Sequence, residues 1–195
     1  MMRAIATILL AVLWGQFVPT VPATKTSGGG NTVTYGSTTQ IDVDYGNSGV
    51  AFATPIYTGT NASGYSSPTI NYWVGSPVSA SFDLGLYADS SLAPGSRICH
   101  ASTGTITPSS GVNSLAISGC GTLTANTTYW IGYLVNNDTI QQGIASTFKC
   151  YTTVPGYIGT VYNAGSFSSL PTPFGTGTPT GSGCYSFSVT VTVLP

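Results

Sequence analysis

The sequence has very little charge of either sign. It contains no glutamate, and only 5% of its 195 residues are charged, four of them basic and five aspartate. Binding to nucleic acid or to an anionic membrane needs clusters of basic residues, so this composition argues against both as partners. Few charges also mean little repulsion between copies. The expected partners are therefore further copies of the chain, other surface proteins, or glycans.

Groups suited to catalysis are equally scarce. The chain has a single histidine, His100, and no Gly-x-Ser-x-Gly motif of the kind that presents a nucleophilic serine. Hydrolysis by paired carboxylates would have to use aspartates alone, such as Asp42, Asp44 and Asp83. Since the sequence assembles no acid–base group, we predict a non-catalytic protein.

Long apolar runs are absent as well. Residues 4–14 form an apolar run that is too short to cross a bilayer. Arg3 precedes this run and the small residues 21–23 follow it, which is the order of parts in a secretory signal peptide. We therefore predict a signal peptide at residues 1–23 and a secreted protein, extracellular or on the cell surface, with no membrane span in the mature chain.

The mature chain is expected to contain one domain. Residues 24–36 include three consecutive glycines among Thr and Ser, a composition typical of a flexible segment. This segment is a candidate for a strand exchanged with a neighbouring copy. Residues 37–195 are predicted to form a single β-sandwich domain.

Four cysteines follow the predicted export signal, which favours two disulfides over a metal site. No two of them have the short spacing of a zinc site. Four cysteines allow three pairings, and we prefer the pairing of nearest neighbours because it joins adjacent antiparallel strands. The preferred pairs are Cys99 with Cys120 and Cys150 with Cys184.

Helical periodicity is missing, whereas short runs of Val, Ile, Thr, Tyr and Phe recur between clusters of Gly, Pro, Asn and Ser. Residues 185–193 and 79–87 alternate as strands with one buried face do, and Asp83 is placed on the solvent face. Residues 128–135 are apolar on both faces, which indicates a central strand covered on its outer side. About eight such strands predict an all-β fold with little helix: a two-sheet antiparallel β-sandwich of jelly-roll or Greek-key type.

Residues 41–45 alternate in the same way. Three apolar side chains share one side: Ile41, Val43 and Tyr45. Asp42 and Asp44 share the other side, which is predicted to face solvent. With Asn47 these aspartates are a weak candidate for a structural calcium site, since their oxygens are of the type that binds calcium. In a regular strand, however, the two carboxylates stand roughly 7 Å apart and do not grip one ion. We predict no cofactor, with calcium as the alternative.

Aromatic side chains are plentiful, with 12 tyrosines and 3 tryptophans. Within residues 69–74, Trp73 falls on the same side as Asn71. An outward tryptophan beside an amide suits either sugar stacking or a protein contact. Further candidates for glycan or interface contacts are Tyr45, Tyr57 and Tyr65. The alternative for such residues is burial beneath a loop or the second sheet.

Sequons of the Asn-x-Ser/Thr type mark three candidate glycosylation sites, each at a predicted turn or strand end. They are Asn61, Asn126 and Asn137.

The segment LYADSSLAPGSRICH, residues 86–100, concentrates rare charged residues around a turn. Asp89 is expected to accept hydrogen bonds from turn amides. Arg97 is expected to reach Asp89 across the hairpin in a surface ion pair worth under about 1 kcal/mol. We interpret this cluster as a stabilised corner rather than a site.

The phrases FDLGLYADSSLAPGSRI and SGVNSLAISGCGTLTANTTYWIGYLV resemble a β-sandwich module of unknown function in exported bacterial and archaeal surface proteins, often called choice-of-anchor-like. The shared pattern is a strand ending in Leu-Tyr, an Asp-Ser turn, Pro-Gly, a paired strand and a phrase ending in Tyr-Trp. The resemblance implies a sandwich attached to surface proteins, and it brings no catalytic residues.

Two function classes fit these observations. The favoured one is a secreted, non-catalytic structural or adhesive cell-surface protein, a subunit of an extracellular filament or coat assembled through β-strand pairing. The alternative is a carbohydrate-binding module that uses surface aromatic residues.

Overall fold

A computed structural model describes residues 31–61, 63–146, 159–180 and 184–195. Within these ranges the chain forms strands and no helix, and so no helix that could cross a membrane. The strands are β1 (Thr32–Gly36), β2 (Asp42–Tyr45), β3 (Ala51–Tyr57), β4 (Tyr65–Val74), β5 (Ala80–Asp89), β6 (Pro94–Ile106), β7 (Gly111–Ala116), β8 (Thr128–Val135), β9 (Gln141–Ser146), β10 (Val161–Asn163), β11 (Thr178–Pro179), β12 (Cys184–Tyr185) and β13 (Phe187–Val193).

Two antiparallel sheets pack face to face, so the predicted all-β sandwich is confirmed. Sheet A has the order β1-β13-β4-β9-β12, with β2 beside β9 and β7 beside β4. Sheet B has the order β11-β10-β3-β8-β5-β6. The strands outnumber the eight predicted, and three of the additional ones are only two or three residues long, too short for alternation to reveal them.

The core between the sheets is built by alternate side chains of the long strands. From β5 it receives Phe82, Leu84 and Leu86, and from β13 it receives Val189 and Val191, all of them buried. These are the inward positions that the apolar alternation predicts, because large apolar side chains gain most from leaving water.

The outer face of sheet B is covered by residues 164–177. Leu170 and Phe174 of this loop form a second apolar cluster with Tyr87 and Trp130 of the sheet. The cover predicted for β8 is therefore present, and every residue of β8 is buried. The expectation that Asp83 faces solvent is wrong: Asp83 is only 6% exposed, since the same loop lies over it.

β1 lies within the sandwich. The prediction placed residues up to 36 in a flexible segment, yet Thr32–Gly36 pairs with β13 along its whole length. Val33 and Tyr35 pack against the core, and the Tyr35 ring meets Tyr65 edge to face, with centroids 5.5 Å apart. Alternate apolar side chains thus hold this strand in place. Residues 1–30, including the predicted signal peptide, lie outside the described residues.

β2 has the opposite orientation to the one predicted. Ile41 and Tyr45 are exposed by 55% and 56%, whereas Asp44 accepts a hydrogen bond from the buried hydroxyl of Tyr185 over 2.7 Å. Alternation separates the two sides of a strand but does not say which side is inner. In β2 the inner side is decided by Tyr185, which provides a partner for the carboxylate.

One predicted disulfide is confirmed. Cys99 in β6 is bonded to Cys120, with Cα atoms 4.9 Å apart. Cys184 is not a free thiol. Its predicted partner, Cys150, lies outside the described residues, so that pairing stays a prediction.

Candidate binding surface

The outward side of sheet A presents an array of small polar side chains across four neighbouring strands, β1, β13, β4 and β7. We call this array the hydroxyl face. It comprises Thr32, Thr34, Thr69, Asn71, Ser114, Thr190 and Thr192, together with Ser188, which is only 2% exposed. None of these side chains carries a charge, so a partner of the hydroxyl face is recognised by hydrogen bonds and shape rather than by ion pairs.

Asn71 connects the strands of the hydroxyl face. Its Nδ2 donates to Ser188 Oγ and to Thr190 Oγ1, each over 3.1 Å. Its Oδ1 accepts a hydrogen bond from Ser114 Oγ over 2.7 Å. Thr34 Oγ1 lies 2.8 Å from Thr190 Oγ1 and extends the chain of bonds to β1. These cross-strand bonds hold the hydroxyls in fixed positions, which lowers the entropy lost on binding.

An apolar patch adjoins the hydroxyl face. It consists of Ile41, Val43, Tyr45, Trp73 and Val112. Val112 is 53% exposed and lies directly across from Trp73 in the β4–β7 ladder. The Trp73 ring lies over Gly143, where an added Cβ would sit 3.0 Å from the ring. A glycine at this position therefore lets the indole extend from β4 toward β2.

Trp73 and Tyr45 thus lie on one surface. Trp73 is half-buried, and Asn71 lies on the same surface. Tyr45 is the cross-strand partner of Gln141 in β9, whose Nε2 lies 3.5 Å from the Tyr45 hydroxyl. Gln141 in turn lies beside the Trp73 ring, near Gly75. The sequence predicted both aromatics as contact residues but could not show that β9 joins their two strands and so brings them onto one surface.

Tyr65 is not a surface residue. It is 2% exposed, it packs on Tyr35, and its hydroxyl accepts a hydrogen bond from the Asn61 amide over 3.1 Å. The prediction of a glycan or interface contact for Tyr65 is therefore wrong, because the docked β1 covers it.

Tyr57 borders a different feature, an open groove of about 680 Å³ at one end of sheet B. Asp89, Asn126 and Tyr129 line the same groove. The Asp89 carboxylate accepts a hydrogen bond from Trp130 Nε1 over 2.8 Å. It also accepts a weaker bond from the Leu92 amide over 3.3 Å, the local turn contact that the sequence predicted.

Arg97 does not reach Asp89. Its guanidinium donates instead to the backbone carbonyl of Leu170 in the loop that covers sheet B. The predicted ion pair across the hairpin is therefore absent, because the covering loop offers Arg97 a buried acceptor. The segment still acts as a corner, one that fastens the loop to the sheet.

Asp83 and His100 form a pair that sequence analysis missed. Asp83 Oδ1 lies 2.8 Å from His100 Nδ1, and Asp83 Oδ2 accepts a hydrogen bond from the Leu170 amide over 2.8 Å. The residues meet because His100 lies opposite Gly85 in the β5–β6 ladder, and Asp83, two positions from Gly85, is its diagonal neighbour on the same side of the sheet. An oriented acid–histidine pair is also part of catalytic triads. Among the described contacts, no serine hydroxyl bonds to this imidazole, and Asp83 also holds the covering loop through the Leu170 amide.

The calcium candidates are only partly brought together. Asp44 and Asn47 line a cavity of about 250 Å³ beside Tyr185, and Asp42 does not. Both oxygens of Asp44 already accept hydrogen bonds, from the Tyr45 amide and from Tyr185. In the part of the chain that the structure describes, no three His, Cys, Asp or Glu side chains come together.

The three sequon asparagines differ in accessibility. Asn61 Nδ2 donates to the carbonyls of Gly64 and Leu194, and Asn137 Nδ2 donates to that of Ser79. Glycosylation would compete with these bonds, since it replaces an N–H of the amide. Asn126 is exposed at a turn with a φ of 50° and is the most accessible of the three.

Comparison with protein-family models, curated proteins and solved structures finds no match for this chain. The resemblance to the choice-of-anchor-like module therefore stays a prediction from the quoted phrases.

Proposed function

We propose that the protein is an exported, non-catalytic structural or adhesive component of the cell surface that works by self-association through sheet A. The observation that supports this most is the apolar patch, in which Ile41, Tyr45 and Val112 are each more than half exposed. Contiguous exposed apolar side chains on a folded protein mark a contact surface.

The surroundings of the patch favour a partner without charge. The adjoining hydroxyl face carries no ionisable side chain, and the whole chain has a net charge of only −1. A second copy of the chain matches this surface, because neither copy would have to desolvate a charge on binding. Association of this kind is expected to be insensitive to NaCl.

Analytical ultracentrifugation of the mature protein tests the proposal. We expect concentration-dependent association of the wild type, and weakening by at least about tenfold in the double variant Ile41→Ser/Val112→Ser, since two exposed apolar side chains leave the contact. Leu92→Asn is the matched control, because Leu92 is 45% exposed but lies in the β5–β6 turn, away from the patch. A wild type that stays monomeric at high concentration would contradict the proposal.

Carbohydrate binding is the second candidate, supported by the placement of Tyr45 and Trp73. The two aromatics lie on the same surface on either side of β9, in strands that are about two strand spacings, or roughly 10 Å, apart. Two aromatic rings on strands at such a separation can stack on two sugar units of one neutral chain, with Gln141 available for hydrogen bonds between them.

A glycan array separates this candidate from self-association. Trp73→Ala and Tyr45→Ala should each abolish glycan binding, whereas Tyr57→Ala should leave it unchanged, because Tyr57 borders the groove on sheet B. Equal loss in all three variants, or binding that survives Trp73→Ala, would rule out a sugar site on this patch.

A further inference from the structure

Two strands of sheet A have an open side. In the described part of the chain β1 pairs only with β13, and β7 pairs only with β4. Natural edge strands are usually protected by charged residues, prolines or bulges. β1 and β7 have none of these: their sequences are TVTYG and GVNSLA, and both ladders run without a register shift. Among the described residues, both edges are therefore open to pairing with another strand.

The backbone groups on the open side of β7 follow from its pairing with β4. The Ile117 amide donates to the Pro68 carbonyl, and the register continues in steps of one residue to Gly111. Because backbone groups of an antiparallel strand point alternately to either side, Val112, Ser114 and Ala116 direct their N–H and C=O groups away from β4.

The open side of β1 follows in the same way. The Val193 amide donates to the Asn31 carbonyl, and the Ser37 amide donates to the Phe187 carbonyl. Thr32 and Thr34 lie at the alternate positions, so their N–H and C=O groups point away from β13.

The directions of the strands allow these two edges to meet. Each neighbouring pair in the series β1, β13, β4 and β7 is antiparallel, so β7 runs opposite to β1. A second copy in the same orientation as the first, placed beside β7, therefore presents a β1 that is antiparallel to it. Such a contact joins different surfaces of the two copies and can repeat without end, which is the geometry of a filament.

The side-chain faces also agree. Thr32 and Thr34 of β1 and Ser114 of β7 all belong to the hydroxyl face. Residues directly opposite in an antiparallel ladder place their side chains on the same side of the sheet. Pairing through these residues thus continues the hydroxyl face from one copy to the next without burying a charge.

We propose that β7 of one copy pairs antiparallel with β1 of the next, so that sheet A runs continuously through a head-to-tail filament. This inference rests on the proposed self-association and names the strands that carry it. The ladder supplies the backbone hydrogen bonds of the contact, and the apolar patch at Val112 lies at one end of the junction.

Proline variants test the junction, because proline removes one outward N–H and is tolerated on an edge strand where that N–H faces solvent. Ser114→Pro should block β7 and Thr34→Pro should block β1, and each variant alone should be monomeric. An equimolar mixture should form dimers and nothing larger, since only the β7 of Thr34→Pro and the β1 of Ser114→Pro remain intact. Ser114→Ala and Thr34→Val keep the N–H and should assemble as the wild type does.

The outcomes separate the two proposals. Monomeric wild type would overturn self-association itself. If the wild type assembles and both proline variants assemble as well, the β7–β1 junction is overturned and self-association still stands. Dimers of Thr34→Pro alone would also overturn the junction, because they form without an intact β1. Near-UV circular dichroism shows whether each variant is folded. If a proline variant does not fold, Ser114→Lys and Thr34→Lys should block the same edges, with monomers of each variant alone and dimers in the equimolar mixture.

Discussion

The hydroxyl of Tyr185 donates a hydrogen bond to Asp44 Oδ2 over 2.7 Å, and this contact sets the orientation of β2. Tyr185 is buried next to Phe52, with ring centroids 5.2 Å apart, so its hydroxyl is available only from the inner side of sheet A. By taking Asp44 inward, the bond turns Tyr45 outward and thereby creates part of the apolar patch. One polar contact in the sandwich thus determines which side chains of β2 are exposed to solvent.

Loss of this bond should destabilise the fold. Tyr185→Phe keeps the ring but removes the donor, and it should cost about 1–2 kcal/mol in the free energy of unfolding, since Asp44 is only partly shielded from water. Urea unfolding of Tyr185→Phe, Asp44→Ala and the double variant should show costs that do not add. Asp42→Ala is the control and should change little, because Asp42 is exposed. If the costs of Tyr185→Phe and Asp44→Ala add in the double variant, the bond does not contribute to the free energy of unfolding.

Stability should fall in alkali. Burial is the main cause that raises the pKa of five tyrosines above the usual value: Tyr35, Tyr72, Tyr87, Tyr133 and Tyr185. The unfolded chain releases these protons near pH 10, before the folded protein does. The contribution of the neutral tyrosines is therefore complete below about pH 10 and is lost as the pH rises above it.

Urea midpoints between about pH 8 and about pH 11 measure this effect. The urea midpoint should be constant near about pH 8 and should fall toward about pH 11. The fall should occur over the pH range in which the ultraviolet absorbance of tyrosinate rises. Tyr133→Phe removes one buried titrating group and should make the drop less steep. A midpoint that does not change across this range would contradict the assignment.

The Cys99–Cys120 disulfide should contribute substantially to stability. It closes a loop with a sequence separation of 21 between β6 and the segment after β7. Replacing both cysteines with alanine should lower the free energy of unfolding by about 3 kcal/mol, mainly by freeing the unfolded chain. Thermal unfolding of the double variant beside the wild type measures the change, and a loss below about 1 kcal/mol would show that the loop is already constrained without the bond.

Leu170 should anchor the loop that covers sheet B. Its side chain is buried against Tyr87 and Trp130, and its backbone bonds both Asp83 and Arg97. Leu170→Ala should cost about 2–5 kcal/mol through the cavity it leaves. Limited proteolysis should then cut within residues 164–177 first. Ala164→Ser, on an exposed residue of the same loop, should leave the cleavage pattern unchanged, and cleavage elsewhere in Leu170→Ala would contradict the anchoring role.

The sequence predicted the fold class and the core positions of β5 and β13, because large apolar residues at every second position have one favourable arrangement in a sandwich. It also predicted that β8 is covered, since a strand that is apolar on both faces needs two apolar neighbours. It could not identify residues 164–177 as the cover, because their apolar side chains follow no regular period.

Less of the candidate surface than of the fold could be predicted from the sequence. The orientation of β2 depends on Tyr185, which lies 141 positions away in the chain. The Asp83–His100 pair depends on the register in which β5 and β6 align, with His100 opposite Gly85. Pattern reasoning works within one strand, whereas these contacts are decided by how distant strands align.

The pairing of β1 with β13 has a consequence for how the protein folds. Thr34 and Thr190 touch each other although 156 positions separate them along the chain. During synthesis β1 emerges early and has no partner until β13 has followed it. Closure of sheet A is therefore a late event with a large loop to close, and slow folding is expected because the first and the last of the described strands pair with each other.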